Sequence, residues 1–153
     1  MSLTLHRTGL STILTTLKGT ATNKLKEVYK WPRRNFADPS LTYPFASIDR
    51  SELKPVDYST VGQGGINGER ILTRIRIFDT YKATELQYDA FTTLVDTVLT
   101  ALEKDSNLRL GQADQGCTGN WIVNAYVEPA NDNTPQLLVG VIDCLGTYRT
   151  SRT

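Results

Sequence analysis

The chain has 153 residues, 39% of them hydrophobic and 22% charged, which is close to an ordinary soluble domain. That length predicts a single domain over 1–153 with enough buried surface for a core of its own. The composition excludes collagen-like, low-complexity and disordered classes, and no run approaches the ~18 apolar residues of a membrane span, so no membrane partner is expected.

Charge is balanced in sum but not in place. Residues 1–34 carry a net +6 and residues 35–153 a net −5. A basic end on an acidic body suits nucleic acid, or copies of the chain meeting basic face to acidic face; solvated surface is the plain alternative. The two cysteines, Cys117 and Cys144, are too few for a disulfide framework and form no C-x-x-C pair. The first residues show no readable secretory segment. The expectation is assembly in a reducing cytoplasm, with both thiols free and packed in strands.

The first predicted element is a helix. Leu10, Ile13, Leu14 and Leu17 share one face, Gly9 weakens the turn before them, and Gly19 is a natural stop, so the firm part is about 9–18. Residues 26–31 read as a strand, with Val28-Tyr29-Lys30-Trp31 ahead of Pro32. A loop follows over 32–42. Tyr43-Pro44-Phe45-Ala46-Ser47-Ile48-Asp49 reads as a short strand, with Pro44 at its start or on an edge. Residues 51–69 lack an apolar period and hold Pro55, Gly62, Gly64, Gly65 and Gly68, which predicts a long flexible loop.

Residues 71–79 are the clearest strand, with Ile71, Thr73, Ile75 and Ile77 on one face and Leu72, Arg74, Arg76 and Phe78 on the other. Thr84 with Gln87 three residues on reads as a capping box for a second helix ending near Lys104. Its expected stripe is Leu86, Ala90, Leu94, Val98, Ala101 and Leu102, widened by Phe91 and Val95. A strand over 120–128 is expected to align Trp121, Val123, Ala125 and Val127. A turn at 129–135 leads to a last strand over 136–148, apolar on both faces and so central or covered by a helix. The last two strands form a hairpin. The fold class expected is α+β: a mainly antiparallel sheet of about five strands with two helices packed on one face.

Signatures of catalysis are sparse. His6 is the only histidine, and a position so near the start is expected to be solvated rather than catalytic. There is no G-x-S-x-G elbow, and no histidine near either cysteine to suggest zinc. The glycines at 62–68 lack the Lys-Ser/Thr of a phosphate loop. Asp89 and Asp96 share a helix face, where a solvated surface is the plainer reading than an acid–base pair. No catalytic, cofactor or metal site is expected. Arg74 and Arg76, beside Leu72 and Phe78, can face phosphate or an acidic partner; the bland alternative is an exposed sheet face.

This order of elements resembles the tail terminator, or tail completion, proteins of tailed bacteriophages. It runs from an amphipathic helix through Val28-Tyr29-Lys30-Trp31, Tyr43-Pro44-Phe45-Ala46-Ser47-Ile48, a glycine-rich insertion, the strand over 70–79 and the helix of Leu86, Ala90, Leu94 and Val98 to a closing hairpin. The likeness spans about 3–148 and lies in pattern, not in a signature residue. It implies a structural virion protein that forms a hexameric ring on the last layer of the tail tube, stops tube growth and joins the tail to the head. The partners implied are further copies of the chain, the tail tube protein, a head–tail connector or neck protein, the sheath where there is one, and DNA passing through without sequence recognition. The family's loop between second and third strands reaches toward the tube, which marks Tyr58, Gln63 and Ile66; Leu72, Arg74, Arg76 and Phe78 are the candidate contacts on the sheet face. A connector or neck adaptor, a nucleic-acid-binding module using 1–34, and a small enzyme are the competing readings.

Overall fold

A computed structural model describes residues 2–21, 24–54, 66–81, 84–104, 117–129 and 136–151. Seven elements follow one another: α1 (Ser2–Thr15), β1 (Glu27–Tyr29), β2 (Phe45–Lys54), β3 (Ile66–Thr80), α2 (Glu85–Lys104), β4 (Cys117–Pro129) and β5 (Leu137–Ser151). The strands form one sheet in the order β1-β2-β3-β5-β4. The β1–β2 pair is parallel and the other three pairs are antiparallel. The expected α+β class therefore holds, with β5 in the sheet interior and paired to β4 as its hairpin partner.

Both helices cover one face. Leu10, Ile13 and Leu14 of α1 and Phe91, Leu94, Val95, Val98 and Leu102 of α2 pack on Ala46, Ile48, Ile75, Ile77, Leu138, Ile142 and Cys144 of the sheet. The buried stripe of α2 thus begins at Phe91. Leu86 is 82% exposed and Ala90 also faces solvent, because at about 3.6 residues per turn both fall outside the arc that Phe91, Leu94, Val95, Val98 and Leu102 share. The capping box forms by half. Thr84 Oγ1 accepts from the Gln87 backbone N–H at 3.2 Å, but the Gln87 side chain donates to the Thr80 carbonyl at the end of β3. Helix α1 starts seven residues before the firm prediction, since Gly9 is buried against the sheet rather than exposed at a frayed end.

Two strands change phase. In β2, three steps from Ile48 to Ser51 oppose two steps of β3, from Ile75 to Thr73. Ser47 and Asp49 lie on the face away from the helices, yet Ser51 lies under α1. In β4, irregularities fall between Cys117 and Gly119 and between Ile122 and Asn124. The second one breaks the expected alignment of Trp121 with Val127. Trp121 pairs with Leu145 on the open face, whereas Ala125 and Val127 pair with Ile142 and Gly140 on the helix face. The predicted loop is also shorter in its described part: β2 runs to Lys54 and β3 starts at Ile66. The predicted flexibility of 55–65 falls outside the described residues.

The face away from the helices is covered at one end by the chain itself. Leu41, Phe45, Phe78, Leu137, Val139 and Val141 make a second core with Tyr29, Phe36 and Tyr43 from the segment 29–43. Phe36 lies 4.8 Å from Phe78, and Phe45 5.2 Å, between ring centroids. A cis Tyr43–Pro44 bond precedes β2.

Candidate functional site

Cross-strand register sorts the open face into rows. The covered end holds Glu128, Val139, Phe78 and Phe45. Next come Tyr126, Val141, Arg76 and Ser47, then Asn124, Asp143 and Arg74, and last Trp121, Leu145, Leu72 and Glu52. Of the four sheet residues singled out from sequence, Leu72, Arg74 and Arg76 lie on the uncovered half. Phe78 does not: it is 3% exposed beneath Phe36, because the loop at 32–44 folds over that end. Ile66 stands at the first position of β3, and Tyr58 and Gln63 lie outside the described residues.

The two arginines are held by carboxylates. Arg74 donates to both oxygens of Asp143, Nε to Oδ1 at 2.9 Å and Nη2 to Oδ2 at 3.2 Å, a forked arrangement that suits a planar guanidinium. Hydrogen bonding to Asp143 raises the Arg74 pKa above its ordinary value. Arg76 Nε sits 3.0 Å from Asp49 Oδ2, a charge pair without an aligned hydrogen bond. Asp49 in turn accepts from Ser47 Oγ at 2.6 Å. With Arg50, Glu52 and Leu72, these groups line a shallow cleft of about 310 Å³. Three arginines face three carboxylates there, so the cleft offers alternating charge rather than a net attraction for anions. The carboxylate partners escaped the sequence reading. Asp143, alone in the apolar run Leu-Leu-Val-Gly-Val-Ile-Asp-Cys-Leu, was the available signal: a charge in a central strand needs a partner.

Apolar surface continues toward the β4 edge. Trp121 is 53% exposed, Val123 54% and Tyr126 39%. The Trp121 ring folds back over Gly119, where a Cβ would come within 2.6 Å of it.

The other polar cluster is buried. His6 was expected in solvent and is instead fully inaccessible, four residues before Leu10 on the packed stripe of α1. Its Nε2 lies 2.8 Å from Asn120 Oδ1 and its Nδ1 2.7 Å from Thr73 Oγ1. With Asn120 Oδ1 as acceptor, Nε2 carries the proton and Thr73 donates to Nδ1. Ser51 then donates to Thr73 at 2.8 Å, and Arg7 Nη1 donates to Ser51 at 3.0 Å. Arg7 also donates to the carbonyls of Lys30, Ile48 and Asp49, gripping the irregular part of β2. Burial first of all pulls the His6 pKa down to about 4. Burial likewise pushes the Cys144 thiol up to about 12, and Cys144 is free. His6, Thr73 and Asn120 are buried while Ser51 and Arg7 sit half-buried at its rim; what the cluster does is fasten α1 to β2, β3 and β4.

The basic segment is partly consumed internally. Arg7 serves carbonyls, Lys18 pairs with Glu27 at 2.9 Å, and Arg33 pairs with Asp38 at 3.2 Å while lying over the Tyr29 ring. Among the described residues, no three His, Cys, Asp or Glu side chains group as metal ligands would. No helix among them is long and apolar enough to cross a membrane. No protein-family model matches the sequence, and no curated protein matches it either.

Proposed function

We propose that this chain is a structural subunit of the tail terminator kind, acting as a ring that caps a phage tail tube, ends its growth and joins the tail to the head. The observation that carries the reading is the half-covered sheet. One end of the open face is sealed by the chain's own segment 29–43, while the other presents Trp121, Tyr126, Leu72 and the paired arginines to whatever approaches. Aromatic and arginine side chains together on an uncovered face suit a protein interface. The order of elements is the pattern on which the resemblance rests.

The test is made in the virus that encodes the chain. Trp121→Asp with Tyr126→Asp alters exposed side chains and should leave the fold intact by circular dichroism. Tails of uncontrolled length, or tails that do not join heads, are expected. Normal tails with that folded variant would remove the face from the proposal, and normal tails after loss of the whole gene would end it.

A further inference from the structure

The two edges of the sheet differ in charge and in strand length. The order β1-β2-β3-β5-β4 places β1 and β4 at opposite flanks, with α1 packed on the β1 side and α2 over β4 and β5. On one flank, α2 holds Glu85, Asp89, Asp96 and Glu103 against Lys104, and β4 adds Glu128, a net −4. On the other, residues 18–38 hold Lys18, Lys24, Lys26, Lys30, Arg33 and Arg34 against Glu27 and Asp38, which pair with Lys18 and Arg33, a net +4. Beside these charges stand exposed aromatic groups: Trp121 and Tyr126 on β4, and Trp31, 54% exposed, just past β1. A long edge strand with large apolar side chains in water invites pairing with another strand.

We propose that copies of this chain join flank to flank, the α2/β4 side of one against the β1 side of the next, so that the sheet runs on across the junction. The occupant of each edge is a second copy because the two flanks complement each other in charge. A two-fold contact would set like charge against like. Only the head-to-tail contact brings opposite flanks together, and head-to-tail contacts close into rings when the rotation permits. Direction agrees as well. β1 is parallel to β2, and three antiparallel steps lead from β2 to β4, so β4 meets a neighbouring β1 antiparallel. Beyond its second irregularity, β4 is regular only from Asn124 to Pro129, a stretch that suits the three residues of β1. The inference rests on the ring reading above and names which surfaces meet.

Charge exchange tests it in the purified full chain, by sedimentation and native mass at low and high salt. Wild-type protein should associate with concentration at low salt and dissociate as salt rises. Asp89→Lys with Glu128→Lys should stay folded and weaken association at least tenfold, and so should Lys30→Glu with Arg34→Glu. An equimolar mixture of the two variants should form one-to-one heterodimers and nothing larger, since the unaltered acidic flank of one still meets the unaltered basic flank of the other while the two altered flanks are near neutral. Wild-type association unaffected by either pair would overturn this junction and leave the ring proposal standing. A wild-type chain that stays monomeric throughout, or a mixture that forms no heterodimer, would also overturn the junction. The ring proposal is judged separately, by tail length in the virus lacking the gene.

Discussion

Under α1, Thr73 of β3 ties His6 to Ser51 in a dry cluster; one residue along, Arg74 meets Asp143 partly in water on the opposite side of the same sheet. The first cluster is a directional relay in which each hydroxyl both gives and receives, and no member can be lost without stranding another. The second joins a buried carboxylate to a guanidinium that also meets water. Alternation along one strand is enough to produce both. Polar residues count for stability according to which face they occupy, and their number is a poor guide.

The largest expected contrast is with acid. The unfolded chain takes up a proton on His6 near pH 6.5, while the folded chain resists until about 4. The unfolded state therefore binds more protons between those values, and stability falls as pH drops from about 6.5 through 4, by about 3 kcal/mol. Above that window His6 contributes no slope. Denaturant titrations of the wild type and of His6→Gln across the window should differ in slope; equal slopes would remove His6 from the acid response.

A smaller effect is expected at Gly146. A Cβ there would stand 2.6 Å from His6 Cδ2 and 3.2 Å from Tyr148 Cε2. His6 is wedged edge-on to Tyr148, with ring centroids 6.0 Å apart, and has nowhere to retreat. Gly146→Ala should cost about 1–3 kcal/mol, read as a lowered denaturation midpoint at unchanged slope. A neutral outcome would mean that the His6 pocket can relax.

The smallest effect belongs to the open face. Arg74 keeps 39% of its side chain exposed although Asp143 keeps only 10%, and with the guanidinium open to water the pair contributes about 0–1 kcal/mol. Replacing the pair together, Arg74→Gln with Asp143→Asn, should therefore move the melting temperature little. A loss as large as that from Gly146→Ala would erase the contrast between the faces.

Much of the fold was legible because burial imposes period. Ile71, Ile75 and Ile77 fall at two-residue phase, and 91–102 repeat at helical spacing, since each set faces the layer between helices and sheet. What escaped were features set by distant parts of the chain. No local pattern says that Phe36 will lie over Phe78, or that β4 gains a residue at Val123 and so turns Trp121 outward. His6 was half legible. Its spacing from Leu10 put it on the buried stripe, but its partners Thr73 and Asn120 lie 67 and 114 residues away. The half-formed cap at Thr84 has the same origin, since the Gln87 amide prefers a carbonyl at the end of β3.

The extra residue in β2 has a consequence for insertions and deletions. Ile48 faces the helices and Asp49 the open side; strict alternation would then return Arg50 inward and put Ser51 outward. The irregularity absorbs one step, and Arg7 fills the gap by donating to the Ile48 and Asp49 carbonyls. Removing Arg50 would shorten the strand to its ordinary count. Ser51 would then follow Ile48 by two ordinary steps, keeping its place beside Thr73 with Glu52 on the open side, but the guanidinium of Arg7 would lose the displaced carbonyls it grips. A deletion of a single exposed arginine would thereby keep both faces of the strand in phase and leave a different arginine, Arg7, without the carbonyls that hold it.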